Sequence, residues 1–354
     1  MVAAHARYLR SEIPVRTFAS HDLITDSSDK AHRPHLEQLC DITKIVSAAQ
    51  DQLAVVDEHG VDLVINKDFL ASVLVAELRR IQYVGYYTDG VESLIKATNR
   101  QTVINADRLG AQVDLAAQAL GLPAISRPVP DMLRSPLLNI IRGFPDTAAV
   151  DRAAIDALAD PHAFAGALTY DAPADEIERQ LTTLTMLDRP ITYITFGTIL
   201  RDRARLAVAA AASTSIPGTT LLVLDGAQVP APAPPNLVTA AYIPNDAALR
   251  LADVIVHHGG HGTMLSALVA GVPQVIVPDN LRTNQEHHGA AMAALGVGAQ
   301  ISSQDLSAAS LAAAVQSLRT PEVRERARDL AAILRTQSDA MQASLLCTID
   351  DIRP

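Results

Sequence analysis

Two adjacent histidines, His257 and His258, lead into the turn Gly259-Gly260-His261-Gly262-Thr263. Glycines let backbone N–H groups come close to an anion, and a helix that starts after such a turn offers further amides and a favourable dipole. His257, His258 and Thr263 add side-chain donors beside Gly259, Gly260 and Gly262. This set suits a diphosphate held without a lysine; the chain has four Lys, all before residue 100. Zinc is a poor match, because adjacent histidines point apart and no Cys or Asp stands at ligand spacing. A Gly-Gly-x-Gly turn taken alone more often joins a strand to a helix than binds a ligand. Its flanks have to decide.

Those flanks alternate between strand and helix. The apolar run 254–256 reads as a buried strand, 264–270 as a helix, and 275–277 as the next strand, entered through Gly271-Val272-Pro273-Gln274. Upstream, 191–196 is a β-rich run ending in Gly197-Thr198, and 220–224 is another apolar strand. The first half repeats the pattern, with strands at 13–19, 61–65 and 83–86 and helices at 35–58, 69–80 and 105–120. The last of these stops at Gly121-Leu122-Pro123. Such alternation implies α/β architecture, a parallel sheet with helices on both faces. At 354 residues the chain is long enough for two domains. A linker is expected at 165–188, a Pro-rich surface loop at 229–235 and an amphipathic helix at 323–349.

The segment around His257 resembles the donor-binding motif of family 1 GT-B nucleotide-sugar glycosyltransferases, above all the bacterial ones that decorate polyketides and other natural products. His-His-Gly-Gly-x-Gly-Thr is highly characteristic of that family. Gly197-Thr198 resembles the turn that faces the donor's sugar and phosphate. Tyr242-Ile243-Pro244-Asn245 is similar to an aromatic-Val-Pro-Gln segment whose aromatic stacks on the nucleobase, with Asn245 in place of Gln. Asn284-Gln285 falls where the family usually has the Asp-Gln pair that bonds sugar hydroxyls. Asn there loses a charged acceptor but keeps a donor and an acceptor. The resemblance is close over 188–330 and looser over 1–165. It implies a GT-B fold of two Rossmann-like domains facing a cleft: an acceptor domain over 1–170, a donor domain over 188–330, and a C-terminal helix, 331–354, crossing back to the N-terminal domain.

The front of the chain departs from the family. Residues 2–10 align with the middle of the family's first helix, so the preceding strand and its Gly-His or Gly-Asp loop, roughly fifteen residues, are absent in this alignment. That loop supplies the general base, a role worth about 10²–10⁴-fold. His5 falls two turns too late and reads as a helix-face residue. Three explanations stand: a start placed too far downstream, a shortened chain, or a protein that does without this base. The first two are preferred. Asp68, after the strand of Asp62-Leu63-Val64-Ile65, is the remaining catalytic candidate, one position beyond the family's orienting Asp. A helix-capping role for Asp68 accounts for it equally well. His287 and His288, beside Gln285, read as exposed helix positions.

Composition narrows the partners. A net charge of −10 argues against nucleic acid. Two cysteines, Cys40 and Cys347, with no CxxC fit a reducing cytosol, so a cytoplasmic location is expected. No stretch reaches the length of a membrane helix, and the first residues lack the apolar core of a signal peptide. The resemblance implies inverting, metal-independent transfer of a hexose or deoxyhexose from a TDP- or UDP-sugar to a small lipophilic natural-product acceptor. The nucleotide sugar is then a co-substrate and no cofactor is needed. Homodimerisation stays open. Two alternatives remain at this point, a non-hydrolysing sugar-nucleotide epimerase and a catalytically silent GT-B partner protein.

Overall fold

In the computed structural model the described residues are 42–66, 70–87, 100–125, 134–145, 147, 159–168, 177–179, 182, 184–196, 203–224, 233–279 and 283–352. They form two compact units. The described residues within 42–142, 151–165 and 341–352 belong to the first, and those within 143–147 and 166–340 to the second. The expected helix at 2–10 and strand at 13–19 lie outside the described residues, as does the 229–232 part of the Pro-rich loop.

The first unit contains a parallel sheet in the order β1-β2-β3-β4, with β1 Leu63–Asn66, β2 Gln82–Tyr87, β3 Asn139–Ile141 and β4 His162–Phe164. Helices α1 (Ile42–His59), α2 (Leu70–Arg79) and α3 (Arg100–Ala119) accompany it. Ile45, Ala49 and Val56 of α1 meet Leu70, Leu74 and Val75 of α2 and Val113 and Ala116 of α3 in one apolar cluster. These positions recur every three to four residues, the spacing that puts one stripe of each helix into a core.

The second unit holds a six-stranded parallel sheet in the order β10-β9-β8-β5-β6-β7. Its strands are β5 Ile191–Thr195, β6 Thr219–Val223, β7 Leu237–Ala240, β8 Val254–His257, β9 Gln274–Ile276 and β10 Gly298–Gln300. Central strands β5, β8 and β9 are buried along their whole length, which parallel strands covered on both faces require and which explains their near-continuous apolar sequences. Side chains alternate between two cores. Ile194, Leu222, Val254 and Val256 pack on one face with α4 (Arg203–Ser213) and α8 (Ala308–Ser317). Tyr193, Leu221 and Ile255 pack on the other with α5 (Asn245–Leu249) and with Ala267 of α6 (His261–Ala270). Helix α7 (Thr283–Ala294) links β9 to β10, and α9 runs unbroken over Pro321–Ile352.

At the start of β5, the buried Asp253 carboxylate accepts the Ile191 N–H at 2.8 Å and pairs with Arg189 at 3.2 Å and Arg324 at 3.1 Å. This clasp joins the entries of β5 and β8, so that both strands finish level at the opposite end. Numbered within the unit, the strand order is 6-5-4-1-2-3, the doubly wound arrangement of nucleotide-binding sheets. The chain reverses direction across the sheet between β5 and β8. Ligands of such sheets bind beyond the C-terminal ends of the strands at that reversal.

Candidate functional site

The glycine turn leaves β8 at this point. His257, the last residue of β8, lies opposite Thr195 of β5 and Ile276 of β9. Gly259 has φ +88°, and a Cβ there would stand 3.0 Å from Ile276 Cγ2 and 3.1 Å from Gln285 Cβ. Both conformation and space therefore demand glycine. Gly260 is the N-cap of α6 with extended backbone angles, and no side chain caps the helix. The first helical bond runs from Met264 N–H to Gly260 O at 3.0 Å. The amides of the turn ahead of Met264, which include those of Gly262 and Thr263, have no acceptor within the helix. The first turn also contains no acidic residue. Helix α6 thus begins three residues earlier than the apolar pattern predicts, which brings Gly262 and Thr263 into its first turn.

His257 is fully buried. Its Nδ1 accepts the Gly259 N–H at 3.1 Å, which places the ring proton on Nε2, and Nε2 donates to Gln274 Oε1 at 2.9 Å. Gln274 Nε2 in turn donates to Met264 O at 3.1 Å. Burial pushes the His257 pKa down to about 3, so the ring is neutral at ordinary pH. The sequence reading expects His257 to donate to a diphosphate. Both ring nitrogens instead serve the protein, and the side chain ties β8, β9 and α6 together under the turn. His258 is half-buried, and its ring lies over Gly260: a Cβ there would come within 2.7 Å of His258 Nε2.

Two histidines outside the expected set complete the neighbourhood. His288 of α7, read from sequence as exposed, is 2% exposed and donates from Nδ1 to Gly259 O at 2.7 Å. Its Nε2 lies 3.2 Å from Nδ1 of the buried His261, with ring centroids 5.0 Å apart. His287 is exposed as expected. The sequence carried a signal for His261, a histidine in a glycine-rich turn, but none for His288, which follows the polar run 283–287.

Gln285, expected to meet sugar hydroxyls, bonds within the protein. It is buried, its Oε1 accepts the Asp279 N–H at 2.7 Å and its Nε2 donates to Asp279 Oδ2 at 3.1 Å. Its amide braces the loop after β9 instead of facing open space. The buried Arg205 secures the same loop by donating to Val277 O at 3.0 Å and Pro278 O at 2.7 Å. Asn284 lies in α7, with its side chain outside the described residues. Gly197, Thr198 and Asp68 lie outside them altogether. Tyr242, two residues past β7, is 59% exposed, an unusual setting for a large aromatic. Asn245, the first residue of α5, accepts the Tyr193 hydroxyl at 2.7 Å through Oδ1. Burial raises the Tyr193 pKa, which keeps the phenol protonated and a donor. Asn245 is therefore held with its amide nitrogen turned away from Tyr193.

Among the described residues, no helix is long and apolar enough to cross a membrane, and no group of three or more His, Cys, Asp or Glu is placed to hold a metal. Residues 219–340 match the family model of the erythromycin biosynthesis protein CIII-like C-terminal domain. A PGL/p-HBAD biosynthesis glycosyltransferase of Mycobacterium tuberculosis is 34% identical over 145 residues, covering 41% of this chain and 33% of that protein. The vancomycin aglycone glucosyltransferase of Amycolatopsis orientalis is 37% identical over 92 residues, covering 26% of this chain and 22% of its own length. The matched stretch is thus a third or less of these relatives. The solved structure of the glycotransferase of kitacinnamycin superposes with a TM-score of 0.71 at 18% identity, over 100% of this chain and 89% of its own. By its matched segment and by its fold, the chain resembles the family 1 GT-B glycosyltransferases of natural-product biosynthesis.

Proposed function

We propose that this protein transfers a hexose or deoxyhexose from a TDP- or UDP-sugar to a small lipophilic acceptor, with inversion at the anomeric carbon. The observation that carries the reading is the bare start of α6, a ten-residue helix with neither side-chain cap nor acidic first turn, set at the strand-order reversal of a doubly wound sheet. A diphosphate supplies the acceptors and the negative charge that this helix start lacks. As the bond to the sugar breaks, charge grows on the leaving diphosphate. Amides already aimed at it stabilise that charge without reorganising, a term that usually dominates catalysis. The same donors take the place a divalent cation holds elsewhere.

Thr263 contributes a hydroxyl from the first turn, Tyr242 a ring face for the base, and Asn245 an amide donor near it. The resemblance assigns Gly197 and Thr198 to the sugar and phosphate, and Asn284 to the sugar hydroxyls. His257 and Gln285 shape the loop from beneath. The relatives' names support natural-product biosynthesis as the setting.

Calorimetry with UDP-glucose and TDP-glucose tests the reading. Micromolar to millimolar binding of at least one, lost when Gly262 is replaced by Asp, is the expected result. The absence of binding by either would remove the reading. Among donors that differ at the sugar 3- and 4-hydroxyls, Asn284→Asp is expected to change the ranking of kcat/KM while nucleoside diphosphate affinity stays nearly constant.

A further inference from the structure

Two glycines in series present a problem that the uncapped helix does not solve alone. The plane of the Gly259–Gly260 peptide can rotate by about half a turn with little steric penalty, because neither flanking residue has a Cβ. In a trans peptide the C=O and N–H point in opposite directions. One orientation offers an anion the Gly260 N–H, and the other offers it the Gly259 carbonyl oxygen. The second would repel a diphosphate. Something must choose between them.

We infer that the buried His261–His288 pair makes this choice, as positioning residues that lock the Gly259–Gly260 peptide with its N–H turned away from α7 and toward the anion. The inference rests on the diphosphate reading above. His288 Nδ1–H holds the Gly259 oxygen at 2.7 Å on the α7 side. That bond requires the His288 proton on Nδ1 and leaves Nε2 as an acceptor. His261 Nδ1–H, 3.2 Å away, donates to it and so fixes the tautomer that the Gly259 bond needs. The two rings therefore work in sequence: His261 sets the protonation of His288, and His288 sets the peptide. Since His261 is also the first residue of α6, the same ring is anchored to the helix whose amides it complements.

The test titrates UDP-glucose and TDP-glucose into the wild type, His288→Leu, His288→Asn and His261→Phe, with thermal unfolding of each protein measured alone. An Asn amide nitrogen stands close to where His Nδ1 stands and keeps the bond to Gly259 O. The expected result is binding weakened about tenfold or more in His288→Leu, the usual consequence of one lost oriented hydrogen bond. His288→Asn is expected within about threefold of wild type, and His261→Phe between the two. A purely structural role predicts lowered unfolding temperatures without rescue of affinity by Asn. Leu binding as well as wild type, or Asn binding as weakly as Leu, overturns the inference while leaving the diphosphate reading intact. Wild type binding neither sugar nucleotide overturns both. Nitrogen-15 spectra of the wild-type histidines give a check that needs no variant: the Nδ1–H tautomer is expected at His288, and the Nε2–H tautomer overturns the proposal.

Discussion

Helices α6 and α8 each contain ten residues, lie in the same unit and start after an extended residue, yet their first turns are built in opposite ways. At α8, Ser307 accepts the Ser310 N–H at 3.1 Å while Ser310 Oγ accepts the Ser307 N–H at 2.9 Å, a complete capping box on the surface. At α6 the cap is Gly260, and no side chain closes the turn. The protein therefore satisfies a helix start by local chemistry where the helix only packs. It leaves one bare at the strand-order reversal, where we propose that the diphosphate binds. Around that bare end the side chains of His257, His288 and Gln285 are all engaged, and they hold the turn's backbone in place. A rigid loop with open amides is what anion binding needs, because no reorganisation is then required when charge arrives.

The comparison can be broken most severely at Gly259. Gly259→Ala places a Cβ at φ +88° within 3.0–3.2 Å of Ile276 and Gln285. The left-handed conformation and the overpacking together are expected to cost about 2–5 kcal/mol in unfolding free energy. Denaturant titration measures this directly, and a cost under about 1 kcal/mol would mean that the turn is looser than described. The next largest effect separates binding from stability. Thr263→Glu gives α6 the acidic first turn it lacks and is expected to stabilise the helix by about 0.5 kcal/mol. A carboxylate roughly 5 Å from a phosphate charge repels it by about 3 kcal/mol at an effective dielectric constant of 20, a weakening of UDP-glucose binding by roughly a hundredfold. A variant both more stable and unable to bind would sharpen the contrast with α8, and unchanged binding would contradict it.

A third effect comes from pH. His257 is neutral when folded down to about pH 3, whereas in the unfolded chain it takes up a proton near its ordinary pKa of 6.5. The folded pKa lies below the unfolded one, so the stability from keeping the ring neutral is present above about pH 6.5. It is lost as pH falls from there toward 3. Between pH 7 and pH 5 this group is expected to remove about 2 kcal/mol. His257→Gln, which cannot titrate, should show a correspondingly flatter pH dependence of unfolding; parallel curves would refute the assignment. The smallest effect lies at α8, where Ser307→Ala is expected to cost about 1 kcal/mol of stability and leave nucleotide affinity unchanged.

Much of the central architecture was legible in sequence. The β-rich runs at 191–196, 220–224 and 254–256 correspond to β5, β6 and β8 within a residue or two, because parallel strands covered on both faces need mostly apolar and β-branched side chains. Strands β3, β4, β7 and β10, of three or four residues each, were not legible, whereas β1, β8 and β9, which are as short, were legible from the apolar runs at 61–65, 254–256 and 275–277. The five-residue α5 was not legible either.

At the site, the sequence alone determined which backbone the turn could adopt. Gly259, Gly260 and Gly262 after an apolar run specify a strand, a tight turn and a helix start, and at Gly259, with φ +88°, the conformation depends on the absence of a Cβ. Sequence type could not decide where the histidines and amides point. His257 finds Gln274 seventeen residues on, and Gly259 finds His288 twenty-nine residues on, only because successive strand–helix–strand crossovers fold those segments back beside the turn. A histidine or glutamine offers donors and acceptors in any setting. Whether it meets a ligand or a neighbour is settled by burial and by partners distant in sequence, and here the tertiary structure turned His257, His288 and Gln285 inward to hold the loop.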